Sequence, residues 1–250
     1  MYVNNAGNAT LTNSLFSGNS SDHGGGMLAL GFAALANCTF SLNHGTLDSG
    51  GYGTFGSISS LTNCVLWGNT GGGTTIERRQ VFGGGPSLSV NYSCVEGLTG
   101  LLGGVGNTGG DPLFVNALGA DMLPGTADDD VHLGAGSSCI DAGDNAVLPG
   151  GVLTDLDGHL RFFDDPATLD SGSGGAPVVD MGAYEFGASA PIIGDVNCDG
   201  ILNMNDAPAL VGVLLGTDAH PCHTAAADMN GDGTANGRDI QSLVSTLLGP

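Results

Sequence analysis

Three nine-residue stretches repeat one pattern of apolar and small polar positions: Leu11-Thr-Asn-Ser-Leu-Phe-Ser-Gly-Asn19, Leu35-Ala-Asn-Cys-Thr-Phe-Ser-Leu-Asn43 and Leu61-Thr-Asn-Cys-Val-Leu-Trp-Gly-Asn69. Their starts lie 24 and 26 residues apart, and a looser copy follows at Val90-Asn-Tyr-Ser-Cys-Val-Glu96. Helical spacing is absent, and the pattern predicts short strands. A strand-like unit recurring with a period in the twenties is the signature of a solenoid, in which each unit buries its face against the next. On this register Ser14 with Phe16, Cys38 with Phe40 and Cys64 with Leu66 point inward. Leu15, Thr39 and Val65 point outward. Asn13, Asn37 and Asn63 fall at corners, where Asn tolerates left-handed backbone and can hydrogen-bond the next rung. Cys38 and Cys64 become vertical neighbours, read as buried thiols in preference to a bridge.

From residue 195 onward the pattern turns helical. Leu210, Leu214 and Leu215 match Leu243, Leu247 and Leu248, and each trio is expected on one helical stripe. Gly216 and Gly249 suit C-caps, and Pro208 is tolerable because it falls in a first turn. An oxygen-rich loop opens each helix. Asp195, Asn197, Asp199, Asn203 and Asp206 occupy loop positions 1, 3, 5, 9 and 12, with Gly200 at position 6 and the Ile201 carbonyl at position 7. Asp228, Asn230, Asp232, the Thr234 carbonyl, Asn236 and Asp239 repeat the arrangement, starting 33 residues later. All-oxygen donors at these offsets are the chemistry of an EF-hand calcium loop, here with Asp at the last position. Two Ca2+ ions are therefore expected. Each half has a loop and an exiting helix, with no entering helix.

Composition narrows the function. Four basic residues stand against 25 acidic ones. That balance argues against nucleic acid and against anionic membrane surfaces, and it fits divalent cations. The acids are unevenly spread, for residues 1–110 hold only Asp22, Asp48, Glu77 and Glu96. The 46 glycines suggest disorder, but a 41% hydrophobic fraction argues against it. Six cysteines are too few for a disulfide scaffold in a chain of 250 residues. No apolar run approaches the length of a membrane span. No signal peptide is recognisable, and a repeat already runs near Met1. The chain reads as the back half of something longer, with an uncapped first coil and upstream coils expected.

The repeats resemble the right-handed parallel β-helix. The phrases that follow, Asp111-Pro-Leu-Phe-Val115, His132-Leu-Gly-Ala-Gly-Ser-Ser-Cys-Ile-Asp-Ala-Gly-Asp144, Thr154-Asp-Leu-Asp-Gly-His-Leu-Arg161 and Val179-Asp-Met-Gly-Ala-Tyr-Glu-Phe186, resemble a closing module of secreted bacterial β-helix proteins over roughly 61–187. The duplicated loop-and-helix unit resembles the dockerin type I domain over about 195–250. The fold expected is therefore mainly β: a parallel β-helix with its closing module over 1–187, a linker over 188–194, and a small all-α calcium-binding domain of paired F-hand loops over 195–250.

The dockerin resemblance implies calcium-ordered attachment to a cohesin-like receptor in a secreted or cell-surface bacterial protein. Recognition in that family involves loop positions 10 and 11, here Met204 with Asn205 and Gly237 with Arg238. The two halves are thus unmatched at these positions. Cys198, at loop position 4, and Cys222, before the second loop, are the candidate pair for a disulfide between the halves. Such a bridge implies an oxidising, extracellular location.

Catalysis is the less favoured reading for this chain. Asp155 and Asp157 suggest a carboxylate pair, but a glycosidase needs two carboxylates held across a sugar. The few bases, Arg78, Arg79, Arg161 and Arg238, form no cluster with acids. Asp128–Asp130 and Asp155 with Asp157 are expected to form turns, caps or a further calcium site. His132 and His159 are read as isolated, and His220 with Cys222 and His223 lacks a fourth zinc ligand. The expected function is non-catalytic attachment of a β-helix to a surface protein. The alternative is the tail of a polysaccharide-degrading β-helix enzyme, a lyase or glycoside hydrolase, whose catalytic coils lie upstream.

Overall fold

The computed structural model describes residues 1–248 other than 57, 84–86, 150, 151, 191 and 233. Gly249, expected as a C-cap, lies outside the described residues. The chain forms two compact units, one of Met1–Leu148 with Asp164–Phe186, the other of Pro149–Phe163 with Gly187–Pro250.

In the first unit the repeats wind into four stacked coils. The first contributes strands Tyr2–Val3, Asn8–Thr12, Leu15–Ser17 and Ser20–Ser21, and the second Met27–Ala29, Phe32–Ala36, Thr39–Ser41 and His44–Gly45. The third contributes Tyr52–Thr54, Ser59–Thr62, Val65–Trp67 and Thr70–Gly71, and the fourth Val81–Gly83, Leu88–Asn91 and Cys94–Val95. Every pairing between coils is parallel. The register keeps the sequence alignment: Leu11 faces Leu35, Leu35 faces Leu61, and Leu61 faces Val90. A short helix, α1 (Ile76–Gln80), sits between the third and fourth coils.

The lumen is apolar. Cys38, Phe40, Tyr52, Cys64 and Leu66 are fully buried, with Phe16 half-buried against them. Phe16 and Phe40 stack at 4.6 Å between ring centroids, and Tyr52 meets Phe40 edge-on at 6.3 Å. Cys38 and Cys64 are buried thiols that are not joined in a disulfide. Burial, and then its neighbour Cys38, holds the Cys64 thiol well above the ordinary range.

The three corner asparagines adopt left-handed backbone, with φ of 48°, 49° and 55°. Asn63 reaches the rung before it, donating to Asn37 Oδ1 at 3.1 Å. A second ladder runs through the last residue of each repeat. Asn19 Nδ2 donates to Asn43 Oδ1, Asn43 Nδ2 to Asn69 Oδ1 and Asn69 Nδ2 to Gln80 Oε1, at 3.0, 2.9 and 2.7 Å. The helix α1 supplies Gln80 as the final rung, in place of an asparagine.

The outward positions are covered by other parts of the chain. Thr39 and Val65 point away from the lumen yet are buried. The segments around 131–142 and 178–183 lie against this outer face, and Val65 packs with Leu133, Cys139, Ile140 and Met181. The Ala183 N–H donates to Thr39 Oγ1 at 2.9 Å, and Asn37 and Asn63 donate to the carbonyls of Asp180 and Asp144. Gly182, at φ 98°, permits the close approach, because a Cβ there would meet Thr39 Oγ1 at 2.9 Å. These segments therefore cover the side of the stack.

The second unit contains α2 (Asp206–Leu214), α3 (Pro221–Ala226) and α4 (Asp239–Leu248). Val196, Leu210, Ala227 and Leu243 form its buried core, with Leu214 and Leu247 partly buried. Leu215 is 71% exposed and lies just past the end of α2. At 100° per residue, position i+5 falls about 140° from position i, off the stripe that i+4 keeps. Leu248 belongs to α4, but its side chain lies outside the described ones. Gly216 caps α2 at φ 68°, its N–H donating to the Val213 carbonyl. The short helix α3, with Pro221 at its start, precedes the second loop where no entering helix was expected. Six residues are too few for a periodic signal, and proline at a first helical position was its only cue. A disulfide joins Cys198 to Cys222. No described helix is long and apolar enough to cross a membrane.

Candidate metal centre

The two oxygen-rich loops close on themselves through matching hydrogen bonds. At position 1, Asp195 Oδ1 and Asp228 Oδ1 each accept the position-5 N–H, both at 3.1 Å. At position 3, Asn197 and Asn230 accept the same N–H at 3.2 and 2.8 Å. At position 5, Asp199 and Asp232 accept the N–H of Ile201 and Thr234. At position 9, Asn203 and Asn236 accept the N–H of Asn205 and Arg238, while their amide groups donate to the carbonyls of Ile201 and Thr234.

The last position ties each loop together. Asp206 accepts from the N–H of Asn197 at 3.2 Å and of Asn203 at 2.7 Å. Asp239 accepts from Asn230 at 3.1 Å and from Asn236 at 2.8 Å. Both aspartates open a helix, where a negative charge suits the helix dipole. All twelve sequence-derived positions thus lie in two loops of one local design.

Charge is concentrated inside this design. Asp195, Asp206 and Asp239 are all buried, the last two completely. Burial raises the Asp195 carboxyl above its usual range, the Gly200 N–H offsets this in part, and the Asp206 charge adds to the rise. The side chain of Arg238 reaches only the outer acid Asp232, at 3.9 Å. Oxygen donors with buried negative charge fit a hard divalent cation, which prefers oxygen ligands and tolerates flexible loops. The donor set contains no soft ligand, and Cys222, beside His220 and His223, is committed to its disulfide. His223 pairs with Asp218 at 2.7 Å, and His220 packs edge-on against Phe162.

Several acids outside these loops take structural roles. Asp155 Oδ1 accepts the N–H of Asp157 and of His159, organising a turn closed by the Thr154–Leu160 bridge. Asp128 and Asp129 accept backbone N–H groups of Ala120, Asp121 and Gly125. His132, read as isolated, instead pairs with Asp130 at 2.6 Å and packs on Tyr184. In the solenoid, Glu96 accepts from the Gly68 N–H and from Gln80, and Asp48 from His23 and the Gly24 N–H.

The family model of the dockerin type I domain matches residues 193–248. The match spans both loops and α2, α3 and α4. Neither a curated protein nor a solved structure matches the chain significantly.

Proposed function

Because a dockerin type I domain follows a β-solenoid in this chain, we propose that it attaches the solenoid, without catalysis, to a cohesin-like receptor protein. Two Ca2+ ions order the docking surface, one per loop, through Asp195, Asn197, Asp199, the Ile201 carbonyl, Asn203 and Asp206, and through Asp228, Asn230, Asp232, the Thr234 carbonyl, Asn236 and Asp239. The observation that carries this reading is the close correspondence of the two hydrogen-bond networks around the buried carboxylates of Asp206 and Asp239. The module extends over 195–250 behind a linker at 188–194, with its loops acting as paired F-hands. The solenoid winds with the right hand favoured by parallel strand crossovers. A secreted or cell-surface bacterial location agrees with the Cys198–Cys222 disulfide.

The receptor reads two unlike surfaces. Met204 and Asn205 are exposed in the first loop, and Gly237 and Arg238 in the second. An apolar tip and a cationic tip do not substitute for one another, so one binding orientation dominates.

Calorimetric titration of the full chain with CaCl2, followed by circular dichroism, tests the calcium step. Two ions taken up by the loops with a gain of helix support the reading, and no helix gain at millimolar calcium sinks it. Binding to an immobilised cohesin module should require calcium and weaken on Met204→Ala. Calcium-independent capture would refute the mechanism.

A further inference from the structure

A second grouping of acids lies in the solenoid unit. Carboxylate oxygens of Asp141, Asp164 and Asp170 all lie within 4.8 Å of one another. Asp141 is only 1% exposed, and its carboxylate oxygens lie near the Asp165 N–H without a well-formed hydrogen bond. Its backbone is held on both sides. The N–H donates to Asp180 Oδ1 at 2.7 Å, and the carbonyl accepts the N–H of Ser171 and Gly172 at 2.8 and 3.1 Å. Its φ of 50° is left-handed, a conformation that needs such support. The side chain is thus fixed toward two further negative groups, with its own oxygens desolvated.

Like charges this close repel strongly, and a buried unpaired carboxylate is costly. Among the described residues no Lys, Arg or His forms an ion pair with Asp164 or Asp170. The grouping of Asp121, Asp128 and Asp129 differs, because N–H groups and the Thr126 hydroxyl already occupy its oxygens. We propose that Asp141, Asp164 and Asp170 form a divalent-cation site for calcium in the solenoid unit, independent of the C-terminal loops. Three carboxylates without nitrogen or sulfur select a hard cation. Asp164 and Asp170 are exposed, which leaves the outer coordination positions to water, and calcium accepts such irregular, water-completed oxygen shells. The ion pins the 164–170 segment to the turn at Asp141. Through Asp180 that turn is continuous with the segment covering the solenoid's outer face.

The test uses the full chain carrying Asp206→Ala and Asp239→Ala, which removes one ligand from each loop. After chelator treatment, titration with CaCl2 should find one remaining ion. Adding Asp170→Asn, at an exposed position, should weaken that ion by about tenfold or more, since altering even a group that merely supports a metal ligand costs about 10–100-fold. Asp164→Asn should act in the same way. Unchanged affinity in both variants, or no ion in a loop-deficient chain whose strand signal is intact, overturns the site. If the loop-deficient chain does not fold, the parent chain is compared with Asp170→Asn alone. Loss of one ion then supports the site, and an equal count overturns it. Failure of the loop reading looks different: the parent chain would bind no more ions than the loop-deficient one.

Discussion

Asn43 in the solenoid and Asp206 in the C-terminal unit are both fully buried polar side chains, but they are satisfied in opposite ways. Asn43 donates to Asn69 and to the Phe16 carbonyl and accepts from Asn19, so each rung of its ladder completes another. Such a network is built of neutral amides and runs to Gln80, which in turn donates to Glu96. Asp206 accepts two N–H groups with its carboxylate beside Asp195. Neutral polar groups let a repeat bury its own corners. Buried carboxylates at the start of each helix suit a cation from outside instead.

The largest effect expected from this contrast is on chelation. Removing calcium should abolish most of the helix signal while leaving the strand signal, because the second unit's small apolar core depends on its loops. Circular dichroism with and without chelator measures this directly, and joint loss of both signals would break the contrast.

The solenoid should answer to packing instead. Phe40→Ala empties a stacked, fully buried site and should cost about 3–5 kcal/mol in urea unfolding of the strand signal. It should leave the calcium-dependent helix gain intact.

Asn43→Ala should cost about 2–3 kcal/mol, because it orphans groups on both neighbouring rungs. The same urea measurement applies, and a neutral result would mean that the ladder is ornamental to stability.

The smallest effect is a pH slope. Burial, followed by the charges of Asp164 and Asp170, pushes the Asp141 carboxyl up to about 7 from an ordinary value of 3.8. The folded state therefore holds a proton that the unfolded chain has released. This contribution to stability is complete below about pH 4 and is lost as pH rises toward 7. Thermal midpoints of the calcium-free strand signal should fall over that window, and Asp141→Asn should flatten the slope.

Much of this was legible because repeats and oxygen-rich loops are local codes. Leu11, Leu35 and Leu61 face one another because a spacing in the twenties closes one coil, and their alignment in sequence became their register. The twelve loop positions likewise depend on offsets within twelve residues, so chain order already carried them. Leu215 was misplaced because a five-residue step leaves the helical stripe. The ladder of Asn19, Asn43 and Asn69 was printed in the repeats, yet its last rung, Gln80, comes from a helix outside the pattern.

The contacts that sequence did not disclose join residues far apart in the chain. Val65 and Thr39 were correctly placed on the outer face, but only folding laid residues near 140 and 180 over them. The Asp141 cluster draws on three positions with no fixed spacing and on a backbone held by Asp180. Sequence by itself determined the coils, their register and the two loops, since each is set by periodicity or by offsets a few residues long. Tertiary structure alone decided which outward side chains are buried and where the carboxylates of Asp141, Asp164 and Asp170 meet, because such burial depends on long-range packing that no local pattern encodes.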